Sequence, residues 1–154
     1  MLKIELRKID ESTALELIEL SRVWAEEACS WGIVPNCRTD LSEPLIVALD
    51  GERIVGYLFG HFYEQERQTS YMEKGKRCFS LDEFYVFPQY RGCGIGTNLY
   101  RAMEKYLHGK CAYLTLTTPT KDYKSIMKLY IDEFDMEFIS AFLIKNMEES
   151  TCES

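Results

Sequence analysis

The chain has 154 residues, of which 46% are hydrophobic and 28% are charged, and its formal net charge is -7. This length suits one globular domain with its own core. The acidic balance argues against nucleic acid, which is bound through basic side chains, and no run of about 18 apolar residues predicts a membrane span. An acidic field favours a cationic partner such as an amine, although solubility alone explains the same charge.

The six cysteines and two histidines show no metal-binding or disulfide pattern. The cysteines are scattered, and none lies at the two-residue spacing that zinc and redox sites use. The amino-terminal residues alternate like a strand and contain no hydrophobic signal-peptide core. We therefore expect a cytoplasmic protein with reduced thiols and no bound metal.

The first half of the chain predicts one helix among three strands. Residues 3–7 alternate as an opening strand, and a capping box that begins at Thr13 predicts the helix. Residues 29–43 then break the periodicity and predict a loop or a short second helix. Apolar runs over 45–49 and 53–62 flank an Asp-Gly hairpin turn, so they predict two paired strands.

Two glycines and one histidine of the predicted 53–62 strand indicate local features beyond strand pairing. Gly56 and Gly60 predict a β-bulge or a close approach of backbone. His61 is a candidate base, but the sequence shows no carboxylate or nucleophile paired with it, so we interpret it as structural. The polar residues 63–77 lack periodicity and predict a flexible connection or a hairpin tip.

The centre of the chain predicts an anion site. Residues 78–87 form a strand that ends before Pro88, and Gly92, Gly94 and Gly96 then lead into an amphipathic helix. Such a turn combines free backbone N–H groups with the positive end of a helix dipole. It lacks the lysine of the Walker loop and the glycine spacing of the dinucleotide fingerprint. A tight turn without a ligand is the alternative interpretation.

The last part of the chain completes a mixed sheet. Residues 112–117 predict a strand, Asp122 caps a further helix, and the apolar residues 138–145 predict a final strand. The order β, α, β, β, β, α, β, α, β describes an α/β (α+β) fold without a repeat or a linker. We expect a single domain over 1–146 and a frayed polar tail over 147–154.

The central motif resembles that of a known family. A strand ending in Val86, followed by Arg91, Gly92, Gly94 and Gly96, closely resembles the acyl-CoA pyrophosphate loop of the GNAT superfamily of N-acyltransferases. The order of elements is similar over nearly the whole chain. The resemblance implies a GNAT-like mixed, largely antiparallel central sheet flanked by helices on both faces. It also implies direct transfer of an acetyl group from acetyl-CoA to a primary amine of a small molecule or protein.

A second part of the resemblance lies near Tyr130. In the family, a tyrosine that ends the helix after the fifth strand is followed by three residues, a glycine and a phenylalanine. Here Tyr130 precedes Phe134, Asp135 and Met136, so the glycine is missing and the spacing is longer by one. Tyr123 replaces the asparagine that the family places seven residues before the tyrosine.

The resemblance implies a role for each site residue, with acetyl-CoA as co-substrate. The implied cofactor-binding residues are Tyr85, Val86, Arg91, Gly92, Cys93, Gly94, Ile95, Gly96 and Thr97. Tyr130 is the implied general acid for the leaving thiolate, with a packed core tyrosine as the alternative. Glu83 is the implied base, and a structural hydrogen bond is the alternative. Because strand side chains alternate, we expect Asp82 to point to the opposite face.

Other interpretations stay open at this point. A non-catalytic acyl-CoA-binding regulatory module would keep the loop, and a plain α/β interaction domain would bind no CoA. The resemblance places acceptor selection in residues 29–43 and 63–77. Carboxylates suited to a cationic acceptor occur at Glu26, Glu27, Asp40 and Glu43, and solvated surface charge explains them equally well. The apolar residues 138–144 fit either a homodimer contact or a buried core strand.

Overall fold

The computed structural model describes residues 1–148. The chain forms two compact units, residues 1–121 and the residues from 122 onward. Most of the tail that we predict to be frayed, from residue 149, lies outside the described residues. The single domain over 1–146 stays a prediction.

A five-stranded sheet forms the centre of the first unit. Its strands are β1 (Leu2–Arg7), β2 (Leu45–Asp50), β3 (Arg53–Glu64), β4 (Arg77–Val86) and β5 (Tyr113–Leu116). They lie side by side in sequence order. The first four are antiparallel, and β5 runs parallel to β4. The predicted mixed, largely antiparallel sheet is therefore confirmed.

Two helices, α1 (Glu11–Glu27) and α2 (Ile95–Leu107), cover opposite faces of this sheet. Helix α1 shares its hydrophobic core with Tyr57 of β3. The neighbouring residue of that strand, Gly56, points the other way, and a side chain there would meet Leu99 of α2 at 3.2 Å. Since adjacent strand residues face opposite sides, each helix packs on its own face. The predicted covering of both faces is confirmed.

Helix α1 begins earlier than the sequence pattern predicts. Its N-cap is Asp10, whose carboxylate accepts a hydrogen bond from the Thr13 N–H at 2.7 Å. The capping box that begins at Thr13 is therefore wrong. An aspartate at the N-cap satisfies a free N–H of the first turn, so Thr13 lies inside the helix, where it is buried. After α1, residues 29–43 form a loop that contains one short 3-10 turn, Arg38–Asp40.

A β-bulge interrupts the pairing of β3 with β4. Phe59 lies opposite Glu83 and Gly60 lies opposite Leu81, so Asp82 is the extra residue on β4. A Cβ atom at Gly60 would lie 1.9 Å from the Ser80 carbonyl oxygen, which only glycine avoids. The predicted bulge at this glycine is confirmed, and it redirects the side chains of β4 next to the candidate site.

The second unit begins with α3 (Tyr123–Lys128), which continues into one π turn, Leu129–Glu133. This turn contains Tyr130, and it closes with a 3.0 Å hydrogen bond from the Phe134 N–H to the carbonyl five residues earlier. A π turn contains one residue more than an α turn. The longer spacing after Tyr130 is therefore taken up by the extra residue of the π turn.

Asp135 follows the π turn in the left-handed conformation, with φ of 57°. Glycine adopts this conformation most easily, and aspartate is among the few other residues that tolerate it. The next residue, Met136, donates its N–H to the Tyr130 carbonyl at 3.0 Å, which ends the helical segment. Asp135 therefore stands where the family pattern has glycine and adopts a conformation that suits glycine.

The predicted strand over 138–145 is wrong. Residues 137–147 have no regular secondary structure, and Phe142 and Leu143 are 90% and 89% exposed. Their apolar character favours a strand, but a strand forms only when its N–H and C=O groups pair with another one. Among the described residues this segment pairs with no strand.

Candidate active site

Strands β4 and β5 stop pairing partway along β4, and the unpaired side of β4 beyond that point is called the cleft. The two strands pair only from Cys78 with Tyr113 to Leu81 with Leu116. Strand β4 then continues alone on this side to Val86. The separation begins at the bulge, so the second half of β4 has an open edge beside the glycine-rich loop.

The open edge offers backbone groups at two residues. On the other side of β4, the Phe87 N–H donates to the Val55 carbonyl at 2.8 Å. Because antiparallel strands direct alternate residues toward the partner, Phe84 and Val86 turn their N–H and C=O groups toward the cleft, where the Val86 carbonyl already accepts a hydrogen bond from Arg91. An extended chain with amide groups can pair with such an edge.

The loop between β4 and α2 adds donors at the end of this edge. Gly92 and Gly94 have φ of 79° and 83°, a conformation that other residues rarely adopt. The first hydrogen bond of α2 runs from the Asn98 N–H to the Gly94 carbonyl at 3.0 Å. The N–H groups of residues 95–97 therefore have no partner within the helix, and with the helix dipole they are suited to bind an anion.

The side chain of Arg91 is held beneath this loop. Its guanidinium makes two hydrogen bonds to Glu27 at 2.9 and 3.0 Å, and its Nε donates to the Val86 carbonyl at 2.8 Å. It also lies 5.4 Å from the centre of the Tyr85 ring. Paired in this way, Arg91 connects the loop, the end of β4 and the end of α1. Its charge is already matched by that of Glu27.

Glu27 remains a strong partner for Arg91 over a wide pH range. Burial raises the pKa of its carboxyl, but hydrogen bonds from Arg91 and Tyr85 outweigh burial and leave that pKa below its usual value. The sequence analysis names Glu27 only as a carboxylate suited to a cationic acceptor and does not link it to Arg91. Its partner lies 64 positions away, so no local spacing links the two.

Tyr85 lies in the core and not in the cleft. Its side chain is 3% exposed and stacks on Trp24 of α1, with ring centres 5.1 Å apart. Its hydroxyl donates to Glu27, and its backbone lies opposite Tyr57 on the β3 side. The structure therefore brings Val86 to the cleft but places Tyr85 among residues that support the loop.

Glu83 lies three residues before Val86 on β4, on the same face as Tyr85, and is half-buried. Asn36 donates its side-chain N–H to the Glu83 carboxylate at 2.6 Å. Burial raises the pKa of Glu83 to about 7, the hydrogen bond from Asn36 opposes this rise, and the charges of Asp40 and Asp82 add to it. A carboxylate with this pKa can accept a proton near neutral pH.

Asp82 points to the same face as Glu83, so the expected opposite orientation is wrong. Its carboxylate lies 2.6 Å from the His61 ring and accepts a hydrogen bond from Ser80 at 2.8 Å. His61 lies opposite Ser80 and two residues beyond Phe59, on the face that also holds Glu83. The bulge adds one residue and thereby reverses the alternation. His61 thus has a carboxylate partner that the sequence pattern could not show.

Tyr130 belongs to the second unit. It is 7% exposed, and its ring centre lies 6.0 Å from that of Phe134. Its assignment as general acid stays a prediction.

Across residues 1–148, no three or more His, Cys, Asp or Glu side chains are grouped to hold a metal ion. In the same part of the chain, no helix has the length and apolar character needed to cross a membrane.

An open strand edge can pair with an extended chain, and a neighbouring loop of free N–H groups can bind an anion. The family model described as "Acetyltransferase (GNAT) family" matches residues 5–131. The chain belongs to the GNAT acetyltransferase family, and it is an acetyl-CoA-dependent N-acetyltransferase. No curated protein matches the chain.

Solved structures of similar fold are also acetyltransferases. An aminoglycoside acetyltransferase from an uncultured soil metagenomic sample is 20% identical, with a TM-score of 0.65 over 96% of this chain and 97% of that chain. Ribosomal-protein-alanine N-acetyltransferase from Brucella melitensis biovar Abortus 2308 is 19% identical, with a TM-score of 0.62 over 95% and 100%. An aminoglycoside N-acetyltransferase in complex with CoA is 13% identical, with a TM-score of 0.65 over 96% and 97%. At these identities the likeness shows the fold.

Proposed function

We propose that this enzyme binds acetyl-CoA along the open edge of β4 and transfers the acetyl group directly to a primary amine. The observation that carries the proposal is the separation of β4 from β5 next to the glycine-rich loop. The pantetheine arm would pair with the edge at Phe84 and Val86. The pyrophosphate would be bound by N–H groups from Gly92 to Thr97.

Direct transfer requires three things of the protein. The amine must lose a proton, the thioester oxygen must be stabilised as it gains charge, and the thiolate must leave. We assign the first task to Glu83, acting directly or through a water. The second falls to backbone N–H groups of the β4 edge, which are fixed in place before the reaction. The third is assigned to Tyr130.

The proposed acceptor is a cationic amine of a small molecule or a protein. Three carboxylates support a cationic acceptor, because the charges of both Asp40 and Asp82 act on Glu83 and raise its pKa. A site with several carboxylates attracts an ammonium group and can then take its proton. Among the structural neighbours, one is described as acting on aminoglycosides and another on a ribosomal-protein alanine. Both classes are therefore included in the test.

The test is acetyl-CoA consumption by the purified protein, followed by the release of free CoA thiol. The acceptors are an aminoglycoside, a linear polyamine, and peptides with a free amino terminus or a free lysine. We expect one class to give steady turnover above the hydrolysis rate. Binding of acetyl-CoA without turnover by any amine would instead favour the non-catalytic regulatory module.

Replacing Tyr130 with phenylalanine is expected to lower kcat about tenfold while the Kd for acetyl-CoA stays unchanged. The hydroxyl proton matters only as the thiolate leaves, and a thiol with a pKa of about 8.5 is a fair leaving group without it. Steady-state kinetics and calorimetric titration measure the two quantities. Tyr123→Phe is the matched control, because Tyr123 is 57% exposed. Equal kcat for Tyr130→Phe and the control would remove Tyr130 from the mechanism.

We also propose a homodimer in which residues 138–144 are covered by the second copy. Phe142, Leu143 and Ile144 are each more than four-fifths exposed, which is costly for a contiguous apolar surface. Sedimentation analysis should show a dimer for the natural chain and mainly monomer for Phe142→Asp. A natural chain that sediments as a monomer would contradict this proposal.

A cytoplasmic location is the last element of the proposal. The five cysteines within the described residues are free thiols, which suits a reducing compartment.

A further inference from the structure

We propose that Asn36 is a positioning residue that holds the Glu83 carboxylate, and that Ser21 holds Asn36 in place. This inference rests on the proposed role of Glu83 as the base. It assigns a function to the loop after α1 that neither the family pattern nor the glycine-rich loop accounts for.

Two hydrogen bonds connect α1 to the carboxylate, and a third, within α1, orients the Ser21 hydroxyl. The Ser21 hydroxyl donates to the Ile18 carbonyl at 2.6 Å and accepts the backbone N–H of Asn36 at 2.8 Å. The side-chain amide of Asn36 then donates to Glu83 at 2.6 Å. Ser21 is 1% exposed, so water does not compete for its hydroxyl. The chain of bonds thereby fixes a loop residue against β4.

An amide is well suited to this position. It donates to a carboxylate but does not titrate, so it favours the ionised, proton-accepting form of Glu83 in one orientation. An aspartate or glutamate in its place would repel that form. The short contact also decides which end of the amide faces Glu83, because only the nitrogen can donate.

The other groups around Glu83 act in the opposite direction. Burial and the charges of Asp40 and Asp82 all favour the protonated form, and Asn36 opposes them. Of these neighbours, Asp82 is itself paired with His61. The Tyr57 hydroxyl is neutral, since burial and the charge of Glu83 both raise its pKa. The hydrogen bond from Asn36 therefore moves the titration of Glu83 toward neutral pH.

This arrangement couples the acceptor side of the enzyme to its base. Asn36 lies in the middle of residues 29–43, the segment that the family resemblance associates with acceptor choice. A movement of that segment would lengthen the bond from Asn36 and change both the direction and the proton affinity of Glu83.

The test compares the titration of Glu83 in the natural enzyme and in Asn36→Ala. Carboxyl carbon NMR, with the Glu83 signal assigned by loss in Glu83→Gln, reports this pKa without any need for activity. We expect Asn36→Ala to raise the pKa of Glu83 by about one unit, because a hydrogen bond to the ionised form is lost. The acid limb of the kcat/KM profile should move by the same amount.

Two further variants and a control complete the experiment. Asn36→Asp keeps the shape of the side chain and should raise the Glu83 titration further, since two carboxyls at this distance share one proton. Ser21→Ala should shift it in the same direction by less. Asn146→Ala removes an exposed asparagine from the second unit and should shift nothing.

The possible failures are distinguishable. A Glu83 titration that is unchanged in folded Asn36→Ala and Asn36→Asp would overturn the positioning role. A titration that moves without a matching movement of the acid limb would reject Glu83 as the base, and with it the catalytic meaning of Asn36. An enzyme that turns over no amine, yet shows the NMR shift, would contradict the proposed function and leave the structural contact standing.

Discussion

Glu83→Gln is expected to lower kcat/KM about 10²- to 10⁴-fold near pH 8, the range that a general base contributes. The natural enzyme should gain activity as pH rises through about 7, because burial places the pKa of Glu83 there. The Glu83→Gln variant should lose this rise of activity with pH, which is the acid limb of the kcat/KM profile. A pH series of kcat/KM with the best acceptor of the panel measures both effects.

Asp82→Asn is the matched control for Glu83→Gln. Asp82 lies on the same face of β4, and its charge raises the pKa of Glu83. Removing that charge should keep the acid limb and move it to lower pH. If the glutamine variant kept a limb near 7, the base would lie elsewhere.

Glu83→Gln, which is expected to lower activity, is expected to raise stability. The pKa of Glu83 is raised in the folded protein, so folding favours its protonated form. The free energy of unfolding therefore falls as pH rises from about 4.5 to about 7, and it stays reduced above that range. Glu83→Gln removes this cost and should stabilise the protein by about 2 kcal/mol at pH 8, but by little at pH 4.5. Urea unfolding at the two pH values measures the difference.

Gly94→Trp is expected to weaken acetyl-CoA binding by at least about 100-fold. Gly94 has φ of 83° and begins the helix whose free N–H groups form the anion site. A large side chain there blocks the approach of a pyrophosphate to the loop and strains the backbone. Calorimetric titration of acetyl-CoA measures the loss.

Gly75→Trp is the control for backbone strain. Gly75 also has φ of 83°, and a side chain there would meet nothing within 4 Å. Both variants carry the same conformational cost, but only Gly94 lies in the loop. We expect Gly75→Trp to bind acetyl-CoA like the natural chain. Equal binding by the Gly94 variant would place the pyrophosphate outside this loop.

The activity and stability of the Glu83 variants together separate two explanations of a buried carboxylate. A structural glutamate stabilises the fold, so its removal costs stability. A catalytic glutamate that is kept charged although it is buried lowers the stability of the fold, so its removal raises stability. Lower activity with higher stability at pH 8 would therefore identify Glu83 as a functional residue.

The features predicted correctly from the sequence are those that are local in the chain. The end of β4 before Pro88, the glycine spacing and the start of α2 all lie between Val86 and Gly96. Gly60 likewise indicated the bulge, because a glycine inside an apolar strand is typical of a bulge or a close approach of backbone. Local backbone geometry depends mainly on adjacent residues, so these features could be predicted.

The contacts between distant segments could not be predicted and follow from the folded structure. The bonds from Glu27 to Arg91 and from Asn36 to Glu83 join residues 64 and 47 positions apart. The direction of Asp82 depended on the register with β3, because one extra residue reverses every later side chain. Residues 138–145 have a strand-like composition but no partner strand in the described chain. Pairing, register and burial are properties of two segments together, and one segment's sequence does not contain them.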